Sequence, residues 1–575
     1  MDSKRFGPFE LDAASRELRT GKTVVRLQEQ PFEILRLLLA RPGQVVTREE
    51  LAGRLWPEGT FVDFEHSLNA AVKRLRAALG DDADNPRFVE TVPRRGYRFI
   101  AALDRATPEP MRLRLAVLPF SNLSEDAGQE YFTDGLTEEM IAQLGQMCRG
   151  RIGIIARSSS MTFRDTRLRA REVGQALTAD YLLEGSVRRE GHRVRITARL
   201  VEAAPETQLW TETYDRQITD SLSVQADVGA RIARSLAVEL VPEARPRTAA
   251  ATSEAAYQEY LKGRYHWNKL DDHQETLSAS SLEQALACFT RAIEHDPAFA
   301  AAYAVAARVH IAVAQQYLGS PPVALERARA LAVRALTLHP GVAEGHLALG
   351  DVRRMLDWDW RGAEAAYGQA IALNPSQENV HRRYSLMLAV QSRTLEAARE
   401  ADLSCELDPL NFYVRVSAAL VRYLAGDYDA AIAHGRHVVE LGPKYVPARR
   451  LLGAAYLQAG RAREALEALE AAHAEAPDSP IEIAWLAHAR AVSGDAAGAR
   501  RCLERWKTLD PARHASPYHL AIAHTGLGDV DAAWAALETA RDQKDPAVAY
   551  VAVEPRLEPL RADARYVRLI ERLGL

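Results

Sequence analysis

Residues 68–76 read Leu-Asn-Ala-Ala-Val-Lys-Arg-Leu-Arg, and residues 88–99 read Phe-Val-Glu-Thr-Val-Pro-Arg-Arg-Gly-Tyr-Arg-Phe. The first stretch predicts a helix, because Leu68, Val72, Leu75 and Leu79 share one stripe that can face a core. The opposite side carries His66, Ala70, Lys73 and Ala77, with Arg74 on one flank and Arg76 on the other. From His66 to Gly80 there are three cationic residues and no acidic one. Two outer alanines let a helix backbone approach closely. His66, Asn69, Lys73, Arg74 and Arg76 are then candidates for phosphates and guanine edges in a major groove. A cationic helix face alone is usually a solvated surface; the second stretch changes that weighting.

Phe88, Thr91 and Val92 belong to a β-rich run, Arg94-Arg95-Gly96 interrupts it, and Tyr97-Arg98-Phe99-Ile100 returns. Gly96 is expected to supply the positive φ of a tight hairpin. That geometry puts Arg94 and Arg95 at an exposed tip, with Thr91 nearby on the rising strand. A basic tip beside a basic helix suits phosphate or minor-groove contact.

Upstream, residues 6–25 alternate in short runs around turn signals and predict a small antiparallel sheet. Pro31 is expected to open a helix with Phe32, Leu35, Leu38 and Leu39 inward, and Pro42-Gly43 to stop it. Thr47-Arg48-Glu49-Glu50 is a capping box ahead of Leu51, Leu55 and Trp56. The order sheet, three helices, hairpin, with its Arg-Leu-Arg and Gly-Tyr-Arg-Phe pieces, resembles the winged helix-turn-helix domain of OmpR/PhoB-type regulators. The resemblance covers residues 1–104. It implies that the third helix enters the major groove and the wing touches the adjacent minor groove. Where that family usually has arginine after the Thr-Val pair, this chain has Pro93, so the wing contact passes to Arg94 or Arg95.

At 575 residues the chain exceeds one core and predicts several domains. It carries 73 Lys+Arg against 77 Asp+Glu, and residues 1–104 carry 17 against 16, so any affinity for nucleic acid is local. Cys148, Cys288, Cys405 and Cys502 are too dispersed for a disulfide framework or a zinc site. No long uncharged apolar stretch predicts a membrane span, and the expected location is the cytoplasm.

Helix-ending prolines recur at 297, 340, 375, 409, 443, 477, 511 and 546, separated by 43, 35, 34, 34, 34, 34 and 35 residues. That period, with Leu452-Gly453, Tyr456, Ala465, Leu469, Ala472 and Pro477 in one repeat, resembles the tetratricopeptide family. Ala285, Phe289 and Ala292, and again Ala363, Tyr367 and Ala370, repeat its second half. Small residues permit close helix pairing and large ones fill between repeats. The first interval implies an insertion, and Tyr566, Leu569 and Ile570 a capping helix. Such arrays usually bind a protein segment in a concave groove. His434, His437, His473 and His488 follow no metal-ligand spacing.

Between these parts, residues 112–240 predict an α/β domain. Its expected strands are 115–120 and 152–156, its helices 133–147 and 170–177, and its hairpin 181–189 with 193–202. Ala-Val-Leu-Pro-Phe and the downstream Tyr-Phe-Thr-Asp-Gly-Leu-Thr-Glu-Glu resemble a TolB-like domain. Arg157-Ser158-Ser159-Ser160 could cradle an anion, although a plain polar loop is the commoner reading. Pro-rich joints at 105–111 and 241–254 separate the three parts. The fold class is thus multidomain: an α+β winged helix, an α/β TolB-like middle domain and an all-α tetratricopeptide solenoid over 255–575. CadC-like and ToxR-like regulators place a membrane helix after the winged helix; here a short polar linker follows.

The reading is a one-component transcriptional regulator with the array as sensor or docking module. Expected partners are promoter duplex DNA, RNA polymerase and a protein or peptide in the groove, with dimerisation on DNA left open. No cofactor, metal or catalytic group is expected. The alternative is a tetratricopeptide scaffold whose N-terminal domain has lost DNA specificity.

Overall fold

The computed structural model divides the chain into two compact units, Met1–Pro110 and Met111–Leu575. It describes residues 3–6, 9–12, 17–20, 23–25, 27–41, 45–55, 64–82, 86, 88–92, 95–100, 113–124, 130–148, 152–190, 193–217, 253–272, 279–509 and 516–575. Pro42, Gly43, Trp56, Pro93, Arg94, Pro511 and residues 105–111 and 218–252 lie outside the described residues, so that the expected joint at 241–254 ends on the described Ser253 and Glu254.

In the first unit, β1 (Ser3–Phe6), β2 (Phe9–Asp12), β3 (Glu17–Thr20) and β4 (Thr23–Val25) form the expected antiparallel sheet in chain order. Helix α1 (Glu29–Ala40) begins two residues before Pro31, which occupies its first turn, where a backbone N–H has no intrahelical partner. The capping box is formed in both directions. Glu50 N donates to Thr47 Oγ1 at 3.1 Å, and Thr47 N donates to Glu50 Oε2 at 3.0 Å. Strand β5 (Val45–Thr47), which the sequence pattern did not reveal, precedes α2 (Arg48–Leu55) and α3 (Phe64–Leu79). It pairs with β7 (Gly96–Phe99), which pairs in turn with β6 (Val89–Val92).

Leu68, Val72, Leu75 and Leu79 are all buried, packed in one core with Ile34, Leu35, Leu38, Leu51 and Phe99. The helical phase read from the sequence is therefore the one adopted. Gly96 has the positive φ expected of it, and the fold adds a second demand. With φ at 158° it opens β7, and a Cβ there would collide with the Val46 carbonyl oxygen of β5. The positive φ and the close approach of two strands both require the glycine.

The second unit starts with a mixed sheet. Its strands are β8 (Leu113–Val117), β9 (Ser121–Asn122), β10 (Ile152–Ile154), β11 (Tyr181–Glu190), β12 (Arg193–Glu202) and β13 (Thr207–Gln217). The order is β10-β8-β11-β12-β13, with β9 beside β11. Neighbours are parallel as far as β11 and antiparallel from there to β13. Helices α4 (Glu130–Cys148), α5 (Arg157–Met161) and α6 (Ala170–Leu177) complete it. Alternate residues of β8 serve opposite faces. Leu115 and Val117 pack with Leu136 and Met140 of α4, while Ala116 packs with Val173 and Leu177 of α6. Strand β13 was not anticipated, because Tyr214 alone of its residues 207–215 is buried.

Eight helix pairs follow among the described residues, from Glu254–Asp272 with Ala279–His295 to Pro517–Gly526 with Val530–Asp542. Each described proline of the periodic set lies just after the second helix of its pair. Ala363, Tyr367, Ala370, Ala465 and Ala472 are fully buried, as the repeat pattern requires. The long first interval reflects longer helices, Ala300–Gln315 and Pro321–Leu338, and the turn between them. In the third pair, Ala343–Val352 continues into a π turn, Arg353–Asp357, before Trp360–Leu373.

The C-terminal helix, Ala564–Arg572, packs Leu569 against Trp534 and Leu537 of the last pair, as a cap should. The residues on either side of this helix reach earlier repeats. Trp360 Nε1 donates to Leu573 O at 2.7 Å, Tyr317 OH to Asp545 Oδ1 at 2.7 Å, and Tyr423 OH to Glu554 Oε1 at 2.6 Å. The segment after Asp542 therefore folds back onto earlier repeats.

Candidate nucleic-acid interface

On α3, Lys73 is exposed and makes no hydrogen bond or ion pair among the described residues. Arg74 is also exposed and donates to Gln28 Oε1. Arg76 behaves differently. Half-buried, it donates to Val89 O at 2.8 Å and to Thr91 Oγ1 at 2.9 Å, both on β6. Its planar fork thus braces the recognition helix against the wing, and Thr91 is its partner there. Asn69 is exposed, but its Oδ1 accepts from Tyr97 OH at 2.8 Å and from Arg48 Nη1 at 3.2 Å.

Arg95 is exposed at the hairpin, where its N–H donates to Val92 O and its carbonyl accepts from Arg48 N. His66 lies in α3, but its side chain is outside the described residues, as is all of Arg94. Of the eight candidates, Lys73, Arg74 and Arg95 therefore present cationic side chains outward, while Arg76 and Thr91 hold the scaffold. Two participants were missed. Arg48, with its guanidinium 5.3 Å from the Tyr97 ring centroid, and Gln28 both act across the fold. Arg48 meets Asn69 across 21 positions and Gln28 meets Arg74 across 46, which only tertiary structure can arrange.

Elsewhere, Arg157–Ser160 does cradle an anion, an internal one. Ser158 Oγ and Ser159 Oγ donate to the two oxygens of Asp408 at 2.6 Å each, and Leu410 N donates to Ser159 Oγ. Burial, then Glu378, pushes the Asp408 carboxyl up to about 7. This contact docks the sheet domain on the array, assisted by Ala156 N donating to Leu407 O at 2.7 Å. His488 Nδ1 lies 2.9 Å from Ile522 O, and burial, then Arg556, lowers its pKa to about 4. Among the described residues no group of three His, Cys, Asp or Glu is arranged to hold a metal, and no helix is long and apolar enough to cross a membrane.

Three family models match in the same order. Residues 21–99 match "Transcriptional regulatory protein, C terminal". Residues 111–232 match "HilA/YgeH-like transcriptional regulator, second domain", and residues 422–490 match "Tetratricopeptide repeat". The chain is 33% identical over 255 residues to a protein of Rhizobium meliloti (strain 1021) named as an adenylate cyclase, covering 43% of this chain and 42% of that one. It is 40% identical over 103 residues to the cholera toxin homolog transcriptional activator of Vibrio parahaemolyticus, covering 17% and 35%. The transcriptional regulator HilA of Salmonella typhimurium is 22% identical over 436 residues, 75% of each chain. The chain thus spans 42% and 35% of the length of the first two relatives. The N-terminal unit is a winged helix of the OmpR/PhoB type. Matches to the HilA/YgeH-like second domain and to the tetratricopeptide repeat follow it along the chain, and the likeness to HilA runs over 75% of the chain.

Proposed function

We propose that the protein is a one-component cytoplasmic regulator that binds promoter duplex DNA through residues 1–104. Residues 112–240 act as a TolB-like connector and residues 255–575 as the sensor or docking module. The observation that supports this most is the helix α3 surface: Lys73 and Arg74 exposed beside a wing that Arg76 braces and Arg95 tips. Lys73, Arg74 and Arg95 make phosphate contacts, with His66 and Arg94 as further contacts; Asn69 is oriented by Tyr97 and Arg48. RNA polymerase is the expected protein partner at the promoter, and two copies on adjacent half-sites fit the usual geometry of such domains. The adenylate cyclase name stays with the Rhizobium protein; this chain is assigned no catalysis.

Chromatin profiling of the tagged full-length protein tests the proposal. Discrete promoter sites are the expected result. Uniform background with intact array-dependent protein capture would favour the scaffold instead. If the array is the sensor, deleting residues 255–575 makes promoter output independent of growth condition; an unchanged response would move the input elsewhere.

A further inference from the structure

A cavity of about 900 Å³ lies within the array. First helices of successive pairs line it, from Trp267 and Arg308 to Trp485 and Tyr518, and the returning C-terminal segment contributes Ala547, Tyr550 and Glu554. That volume is typical of a site for one small molecule. The chain's own returning segment already occupies part of the inner face of the array.

Charge is distributed unevenly around the wall. Arg450 is paired with Glu482, and the neighbouring Arg556 with Glu554. Arg354 and Arg383 instead share Asp351, which lies 3.5 Å from the first and 3.6 Å from the second, both loose contacts. Arg382 stands beside them; its partners include Asn379 Oδ1 at 3.0 Å and Tyr413, whose ring centroid lies 4.4 Å from the guanidinium. Arg383 Nη1 is buried with no hydrogen-bond partner among the described residues. A π turn, often a functional irregularity, carries Arg354 into the wall.

Two guanidinium groups on one carboxylate, withdrawn from bulk water, leave positive charge that costs free energy unless an anion meets it. Burial opposes ionisation of the Tyr413 phenol, yet Arg382 and Arg383 bring its pKa below the ordinary value. Leu386, Val416 and Leu420 supply apolar wall beside the same arginines.

We propose that this cavity binds one small organic anion. Its carboxylate, phosphate or sulfonate sits against Arg382 and Arg383, and its apolar or aromatic body lies along Leu386, Leu420 and Tyr413. The proposal deepens the sensor role of the array and rests on that role only for its regulatory consequence.

Full-length protein titrated with anilinonaphthalene sulfonate, an aromatic anion, tests it. The expected result is saturable binding of one equivalent, with the uncharged N-phenylnaphthylamine binding at least about tenfold more weakly. Arg383→Gln should weaken the sulfonate by about tenfold or more, and Arg383→Lys by less. Should Arg383→Gln fail to fold, the two-probe comparison on unaltered protein still decides. Equal affinity for both probes, binding of many equivalents, or an unchanged Arg383→Gln each overturns the proposal. So does the absence of sulfonate binding, and displacement of the C-terminal segment by a peptide would then favour a peptide groove. Sulfonate binding without any change in promoter occupancy would uphold the cavity and refute the sensor role instead.

Discussion

Substituting Arg76 separates a brace from a DNA contact, two roles that look alike in the sequence. Arg76→Ala removes the charged donor of Val89 O and Thr91 Oγ1, leaving a carbonyl and a hydroxyl on β6 without that partner. Hydrogen bonds from a charged group contribute about 1.5–3 kcal/mol when buried, and less when water competes. For a half-buried Arg76 the loss is about 1–2 kcal/mol in total. In a domain of this size each kcal/mol moves the midpoint by roughly 4–8 °C, so Tm should fall by about 5–15 °C. Lys73→Ala is the control. An exposed lysine replaced by a better helix former leaves Tm within a few degrees.

DNA binding by Met1–Pro110, a unit with its own core, should respond in the opposite sense. The slope of log affinity against log salt becomes shallower by about 0.9 for each phosphate the protein ceases to neutralise. Lys73→Ala should reduce that slope by about one such step, whereas Arg76→Ala, measured well below its Tm, should keep the parental slope. Circular dichroism melts and fluorescence anisotropy across a salt series supply both numbers. If Arg76→Ala melts with the parent and lowers the slope as Lys73→Ala does, the brace is wrong and Arg76 touches phosphate.

Three further outcomes are expected. Leu75→Ala, at a fully buried core position, should cost about 2–5 kcal/mol by chemical denaturation; a change under about 1 kcal/mol would contradict the helix phase. Gly96→Ala should break the β5–β7 pairing through the collision with Val46 O, read as reduced amide protection at Val45–Thr47 with α1 still protected. The docking of Asp408 on Ser158 and Ser159 should weaken as pH rises. Its folded pKa, about 7, lies above the ordinary 3.8, so its contribution is complete at low pH and lost as pH passes through about 7. The protection factor at Ile152–Ala156, with the intrinsic base-catalysed exchange rate divided out, should fall between about pH 4 and pH 7; Asp408→Asn should flatten that dependence, and a persisting one would place the titration elsewhere.

The sequence by itself determined what periodicity encodes. The stripe Leu68, Val72, Leu75, Leu79 set the phase of α3, because a single apolar face admits only one way of burying it. Thr47 and Glu50 set the start of α2 through reciprocal local bonds, and the proline spacing set the repeat register. The first two depend on residues a few positions apart, and the third on a period that repeats along the chain. Strand β5, with three residues, and β13, with an exposed face, carry too little alternation to be read that way.

Tertiary structure alone decided which cations are spoken for. Arg74 and Arg76 sit two residues apart on one helix, yet one faces out while the other is tied to β6. Their difference depends on where residues 89–91 arrive, and no local pattern records that. The same holds for the closing of the array: Trp360 meets Leu573 and Tyr423 meets Glu554 across 213 and 131 residues. Periodic packing predicts a helical stack. Whether that stack curls far enough for its end to return, and so to gather Arg354, Arg382 and Arg383 around one cavity, follows from small rotations between successive pairs, which sum over the whole array.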